Sequence, residues 1–169
     1  AVLLTGGDAL AAENRHEVFA GLYNLQIEYG AGGGAFDDEA SGLQLGYAYD
    51  FNRYFGFRGS LYRLGHTTAS GVDITGLDLA AVGGLLGDGF NAFGGAGMYS
   101  ESWEANGLSE NFSGGQLLVG VGYSWERVRV TLLGKGRSPS DYEDFVNGFY
   151  GTNTDATAAS GALNVGYRF

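Results

Sequence analysis

Side chains in this chain alternate between two kinds of face with a period of two. That pattern admits little besides β-strands, whose successive residues point to opposite sides. From Ser41 to Phe51 one face carries Leu43, Leu45, Tyr47, Tyr49 and Phe51, and the other Gly42, Gln44, Gly46, Ala48 and Asp50. Leu163, Val165, Tyr167 and Phe169 oppose Ala162, Asn164, Gly166 and Arg168. Leu117, Val119, Val121, Tyr123 and Trp125 oppose Gln116, Gly120, Gly122 and Ser124, with Leu118 the exception. Near the start, Phe19, Tyr23, Leu25, Ile27 and Tyr29 share a face against Asn24, Gln26 and Glu28. Weaker alternation fills the gaps. Phe55, Phe57 and Leu61 oppose Arg58, Ser60 and Tyr62; Leu77, Leu79 and Leu85 oppose Asp78, Ala80 and Gly84. Phe93 and Tyr99 oppose Ala92, Gly94, Ala96 and Met98, and Val128, Val130 and Leu132 oppose Arg129 and Thr131. The count is eight strands of about 9–13 residues, the length at which a tilted strand crosses a bilayer.

Connections alternate in length. Asp50–Tyr54, Leu86–Gly89 and Trp125–Arg127 read as tight turns with Asp, Asn or Gly where turn geometry wants them. Ala31–Ala40, Thr67–Gly71, Glu101–Phe112 and Ser138–Asp155 read as longer loops. With no βαβ alternation and no long repeat, the expected architecture is an all-β, eight-stranded, antiparallel up-and-down barrel. It spans residues 16–169, preceded by a segment over 1–15.

Two solvents fit such a barrel. A lipocalin-like one puts the large apolar face inside and the second face in water, making it a ligand binder. A membrane barrel turns the large apolar face to lipid and fills its interior with small and polar groups. The second face decides for the membrane. It is Gly, Ala, Ser, Asn and Gln with scattered charge, whereas a wetted surface is ~25–35% charged. The whole chain is only 17% Asp, Glu, Lys and Arg, with 32 Gly among 169 residues. The small interior residues leave room for long polar ones such as Arg58, Tyr62, Arg129, Lys135 and Arg168. No apolar run is long enough for a transmembrane helix. Nine Lys and Arg against 19 Asp and Glu give a net charge of −10, which argues against a nucleic-acid partner. The absence of Cys removes disulfides and thiolate metal sites from consideration.

The unit Gly46-Tyr-Ala-Tyr-Asp-Phe-Asn-Arg-Tyr-Phe-Gly-Phe-Arg-Gly59 resembles the strand–periplasmic turn–strand unit of the small eight-stranded outer-membrane barrels, the type of the OmpA transmembrane domain and OmpX. The ending Val165-Gly-Tyr-Arg-Phe169 resembles the signal such proteins present to the barrel-assembly machinery, with Tyr167 and Phe169 at its alternate aromatic positions. The resemblance implies a bacterial outer-membrane protein with termini and short turns in the periplasm and four long loops outside. Aromatic girdles are then expected at two heights. Phe51, Tyr54, Phe55, Phe90, Trp125 and Phe169 would lie low, and Tyr29, Tyr99 and Trp103 high. Residues 1–15 are read either as a signal remnant ending near Ala9-Leu10-Ala11 or as a retained tail.

The chemistry-bearing residues fall into few groups. Asp50, Arg58, Asp78, Glu126, Arg129, Lys135 and Arg168 are expected to form a polar network inside the barrel, because charges there must pair. It serves as a salt-bridged plug or, alternatively, as the gate of a narrow channel for small or apolar solutes. Asp37, Asp38 and Glu39 in the first loop and Asp141, Glu143 and Asp144 in the fourth are candidates for a loop cation or partner site. Glu101, Glu104 and Glu110 in the third loop and Asp155 add to this charge, which would bridge through divalent cations to lipopolysaccharide phosphates. Plain solvation accounts for these carboxylates equally well. Tyr142, Phe145, Val146, Phe149 and Tyr150 suggest a docking surface for a protein partner or larger envelope assembly. Only His16 and His66 are available as imidazole bases. His66 with Thr67, Ser70 and Asp73 is a weak surface candidate that a loop histidine explains as well. No enzyme activity, cofactor or metal centre is expected.

Overall fold

A computed structural model of the chain describes residues 15–31, 34–66, 72–105, 108–137 and 155–169. It holds eight strands: β1 His16–Ala31, β2 Gly34–Asp50, β3 Phe55–His66, β4 Val72–Leu85, β5 Gly89–Ala105, β6 Leu108–Trp125, β7 Val128–Arg137 and β8 Asp155–Arg168. Each pairs antiparallel with the next, and β1 pairs with β8, so the sheet closes on itself. No helix occurs among the described residues.

The register fixes the barrel's shape. Gln26 pairs with Ala159, Ala159 with Gly136, Gly136 with Leu117, and Leu117 with Ala96. Ala96 pairs with Ala81, Ala81 with Phe57, Phe57 with Tyr49, and Tyr49 with His16. One circuit therefore returns to β1 lower by 26 − 16 = 10 residues. With 3.3 Å per residue and 4.8 Å between strands, that stagger tilts the strands by about 40° and gives a radius of ~8 Å. A residue then rises ~2.5 Å along the barrel axis.

Short turns close one end. Asn52 Oδ1 accepts hydrogen bonds from the backbone N–H of Tyr54 (2.8 Å) and Phe55 (3.0 Å), which folds the β2–β3 link. Glu126 adopts φ 43° in the two-residue β6–β7 turn. Just above, the exterior carries Phe55, Phe90, Tyr123, Trp125, Tyr167 and Phe169, all exposed. Higher still come Leu22, Leu43, Leu45, Leu61, Leu117, Val119, Leu132, Leu163 and Val165. Together these form an outward apolar belt about nine residues deep on each strand, ~22 Å along the axis, close to the height of a lipid-facing band.

Above the belt the two faces exchange character. The exterior becomes Gln26, Glu39, Ser41, Arg63, Asp73, Thr75, Ser100 and Glu110, all exposed. The interior becomes Leu25, Ile27, Leu64, Ile74 and Phe112, buried together, with Trp103 packed against them. Here the wall is in water and obeys the ordinary rule of apolar inside.

This exchange corrects several expectations. Leu25 and Ile27 face inward because they lie beyond the belt. Phe19, Tyr23, Phe93 and Tyr99 are also interior, the last three with buried cations over their rings, so Tyr99 is no girdle residue. Trp103 is interior too. Tyr29's side chain lies outside the described set. Strands run 10–18 residues, longer than the belt needs, since β1–β2 and β5–β6 continue as paired hairpins through most of Ala31–Ala40 and Glu101–Phe112.

Candidate functional site: an ion-paired lumen

The lumen is filled by side chains from every strand. Among the described residues, Glu17, Asp50, Asp78 and Glu101 are buried carboxylates, and Arg58, Arg129, Lys135, Arg137 and Arg168 are buried cations. Arg168 pairs with Asp88 on the rim, so five cations meet five carboxylates.

The charges separate into two storeys. Near the short turns, Arg129 is fully buried and donates through Nη1 to Glu17 (2.8 Å), through Nη2 to Asp50 (3.0 Å) and through Nε to Ser124 (2.9 Å). It also donates to the Leu86 carbonyl. Arg58 lies over the Phe93 ring at 4.5 Å and reaches Glu17 only at 3.9 Å.

Higher up, Lys135 pairs with Asp78. Arg137 donates to Glu101 (2.7 Å), to the Tyr23 (2.6 Å) and Tyr62 (3.0 Å) hydroxyls, and to Asp78 (3.3 Å). Tyr62 in turn donates to Glu101 at 2.9 Å, and Tyr23 to Ser160 at 2.9 Å. Tyr23 and Tyr62 stack at 4.8 Å between ring centres, 5° from parallel. Lys135 sits over Tyr23 at 4.7 Å, and Arg137 over Tyr99 at 4.5 Å.

Between the storeys, Gln44 donates to Asn164 at 2.5 Å among Thr131, Leu118 and Leu133. Interior glycines let these rings approach the wall. A Cβ on Gly76 would stand 2.2 Å from the Tyr62 ring, and one on Gly46 2.2 Å from Phe19. Ion pairs buried this way add little net stability against an apolar filling, yet removing one partner is costly. Their consequence is a lumen occupied by paired side chains at both levels.

Of the expected network, Asp50, Arg58, Asp78, Arg129, Lys135 and Arg168 are all buried, but Arg129 pairs with Asp50 below, Lys135 with Asp78 above, and Arg168 with Asp88 on the rim. Glu126 does not. It is exposed in the β6–β7 turn, because the left-handed backbone there carries it off the strand's inward series. Glu101, read as a loop acid, is instead buried against Arg137. Glu17, Arg137 and the tyrosine pair complete the network. Glu101 continues the inward parity of Asn91, Phe93 and Tyr99 on β5, the one sequence signal that places it inside.

Asp37 and Asp38 lie on β2 with side chains outside the described set, while Glu39 is exposed and accepts from Asn24 Nδ2 at 2.8 Å. Asp141, Glu143 and Asp144 lie outside the described residues, as do Tyr142, Phe145, Val146, Phe149, Tyr150 and residues 1–14. His66's side chain is also outside that set. Tyr167 and Phe169 face outward at the short-turn end, where the Tyr167 hydroxyl accepts from Arg127 at 3.1 Å. No group of His, Asp and Glu suited to a metal occurs among the described residues.

No protein-family model matches the sequence. No curated protein sequence matches it either. Solved structures do resemble it. The attachment invasion locus protein Ail of Yersinia pestis is 20% identical, over 92% of this chain and 99% of that one, with a TM-score of 0.51. The N-terminal β-barrel domain of Pseudomonas aeruginosa OprF is 16% identical, over 93% and 98%, with a TM-score of 0.56. Neisserial surface protein A is 14% identical, over 89% and 95%, with a TM-score of 0.53. What this likeness establishes is the fold, the small eight-stranded barrel of outer-membrane proteins.

Proposed function

We propose that this protein resides in the outer membrane of a Gram-negative bacterium and acts there as a non-enzymatic, non-conducting barrel with a structural or surface-interaction role. The observation that carries this reading is the lumen packed shut by two ion-paired storeys inside a wall whose outer belt is apolar. Lipid is its constant partner. Tyr167 and Phe169 are the residues we assign to recognition by the barrel-assembly machinery.

The surface role follows from the two tall hairpins. β3 ends at His66 opposite Ala40, leaving Gly34–Glu39 of β2 unpaired on that side among the described residues. β7 ends at Arg137 opposite Gln116, leaving Leu108–Gly115 of β6 likewise. Such edges accept an added strand from a partner chain.

A second reading, a narrow channel, is favoured by one feature. Asp78 is shared between Lys135 and Arg137, so the upper storey can exchange partners.

The test has two parts. Unboiled protein from the outer-membrane fraction should migrate differently from boiled protein on a gel, and a single band in the soluble fraction would refute membrane residence. In planar bilayers the wild-type protein should give no discrete conductance steps. Steps that grow in Asp78→Asn would replace the closed-barrel reading with the channel.

A further inference from the structure

The short-turn mouth of the barrel holds a shallow pocket lined by Arg15, Asp50, Asn52, Arg53, Leu86, Gly87, Asp88 and Arg168. Three of these residues are arginines, Arg15 and Arg53 also holding the wall through carbonyls that accept from the Asp50 and Leu86 N–H groups. Of its two carboxylates, Asp88 is bound by Arg168, and Asp50 is bound through Oδ2 by Arg129 at 3.0 Å while its Oδ1 has no hydrogen-bond partner among the described residues. Arg15 and Arg53 are exposed and form no ion pair among the described residues; Arg53 lies over the Tyr54 ring at 5.0 Å. Arg168 is 3% exposed, and its Nε–H has no protein partner although Nη1 is bound. A buried guanidinium N–H without an acceptor carries a desolvation cost that an oxyanion at the mouth would offset.

The rest of the surface sharpens the contrast. At the far end the one exposed basic residue among those described is Arg63, tied to Asp73 at 3.3 Å, amid Glu39, Glu104 and Glu110. Affinity for anions is therefore confined to one end of the molecule.

We propose that this mouth is a binding site for a phosphate-class oxyanion, held by Arg15, Arg53 and Arg168. A fork of N–H donors suits the tetrahedral, multiply charged oxygen set of phosphate better than a monatomic halide. Two sources offer that chemistry: a free phosphate, or the phosphodiester of a lipid headgroup in the adjacent leaflet, which the exposed Tyr54 and Phe55 would border.

The probe is the Arg Nε–H region of the 15N NMR spectrum of the full chain, folded in zwitterionic detergent and verified by its gel shift. Inorganic phosphate should move the Arg168 Nε–H resonance saturably at millimolar concentration. Arg129 Nε–H, bound to Ser124 deeper in the lumen, should stay fixed. Arg15→Gln and Arg53→Gln, both at exposed positions, should each weaken binding about fivefold while leaving the fold intact.

Short-chain phosphatidylglycerol titrated in place of phosphate distinguishes the sources. A larger effect than phosphate assigns the lipid headgroup, and a smaller one the free anion. Either result supports the site. An Arg168 signal unmoved by both, an equal response to sodium chloride, or undiminished binding in the double variant would overturn it.

Discussion

Arg129 offers the sharpest test of the two-storey lumen. Replacing it with Met keeps most of the volume and removes every charge-assisted bond of the lower storey. Glu17 and Asp50 lose bonds of 2.8 and 3.0 Å, and the one ion pair left to either is that of Glu17 with Arg58 at 3.9 Å among the described residues, Arg168 being bound to Asp88. Each lost bond to a charged group is worth about 1.5–3 kcal/mol. Arg58 recovers part of that by swinging toward Glu17, so Arg129→Met should cost about 3–5 kcal/mol, the usual loss when one partner of a buried pair is deleted.

The companion variant separates this from a packing defect. In Arg129→Met/Glu17→Gln/Asp50→Asn the two stranded carboxylates are gone and only Arg58, over the Phe93 ring at 4.5 Å, keeps an unpaired charge, so part of the loss should return. Reversible urea unfolding in lipid vesicles reads both values, with Trp125 and Trp103 fluorescence and gel mobility as independent probes. A cost below about 1 kcal/mol for the single variant would refute the storey as described. So would a triple variant no better than the single one, since the damage would then lie in shape rather than charge.

Two further outcomes test the wall. Val119→Arg, mid-belt and 67% exposed, should cost about 2–4 kcal/mol in vesicles, while Gln26→Arg above the belt should cost about 0–1. Equal costs would mean the belt is misplaced. Gly76→Ala should destabilise by about 1–3 kcal/mol through the Tyr62 ring, and Tyr62→Ala in the same chain should make the added methyl tolerable. Additive losses in the double variant, read by the same urea titration, would count against that contact.

The architecture was readable from sequence chiefly where a strand lies within the belt. Leu43, Leu45 and Tyr47 on β2, and Val119, Val121 and Tyr123 on β6, all face lipid as their alternation predicts. On β1 alternation misleads because the strand passes from one solvent into another along its length. Leu25 and Ile27 sit where the wall has entered water, so the same apolar side chains belong on the opposite face. Phe93 turns inward for a different reason. An interior holding guanidinium groups rewards aromatic faces, and alternation alone cannot distinguish a ring turned to lipid from one turned to Arg58. Glu17 is not legible in the sequence as an ion-pair partner because Arg129 lies 112 positions away, and only barrel closure brings them together.

Closure has a consequence for how the molecule comes into being. Seven of the eight strand pairings join neighbours in sequence and can zip as hairpins; the eighth joins β1 to β8 across nearly the whole domain. That seam costs the most chain entropy and belongs late in folding. It is latched where His16 and Phe169 exchange backbone hydrogen bonds of 3.1 and 2.9 Å and stack their rings at 5.6 Å. Until it shuts, Glu17 has no wall behind it and two raw β-edges face a medium that cannot hydrogen-bond to them. An incomplete barrel is thus a species the bilayer itself disfavours. The lipid that later hides the apolar belt also drives its first and last strands together.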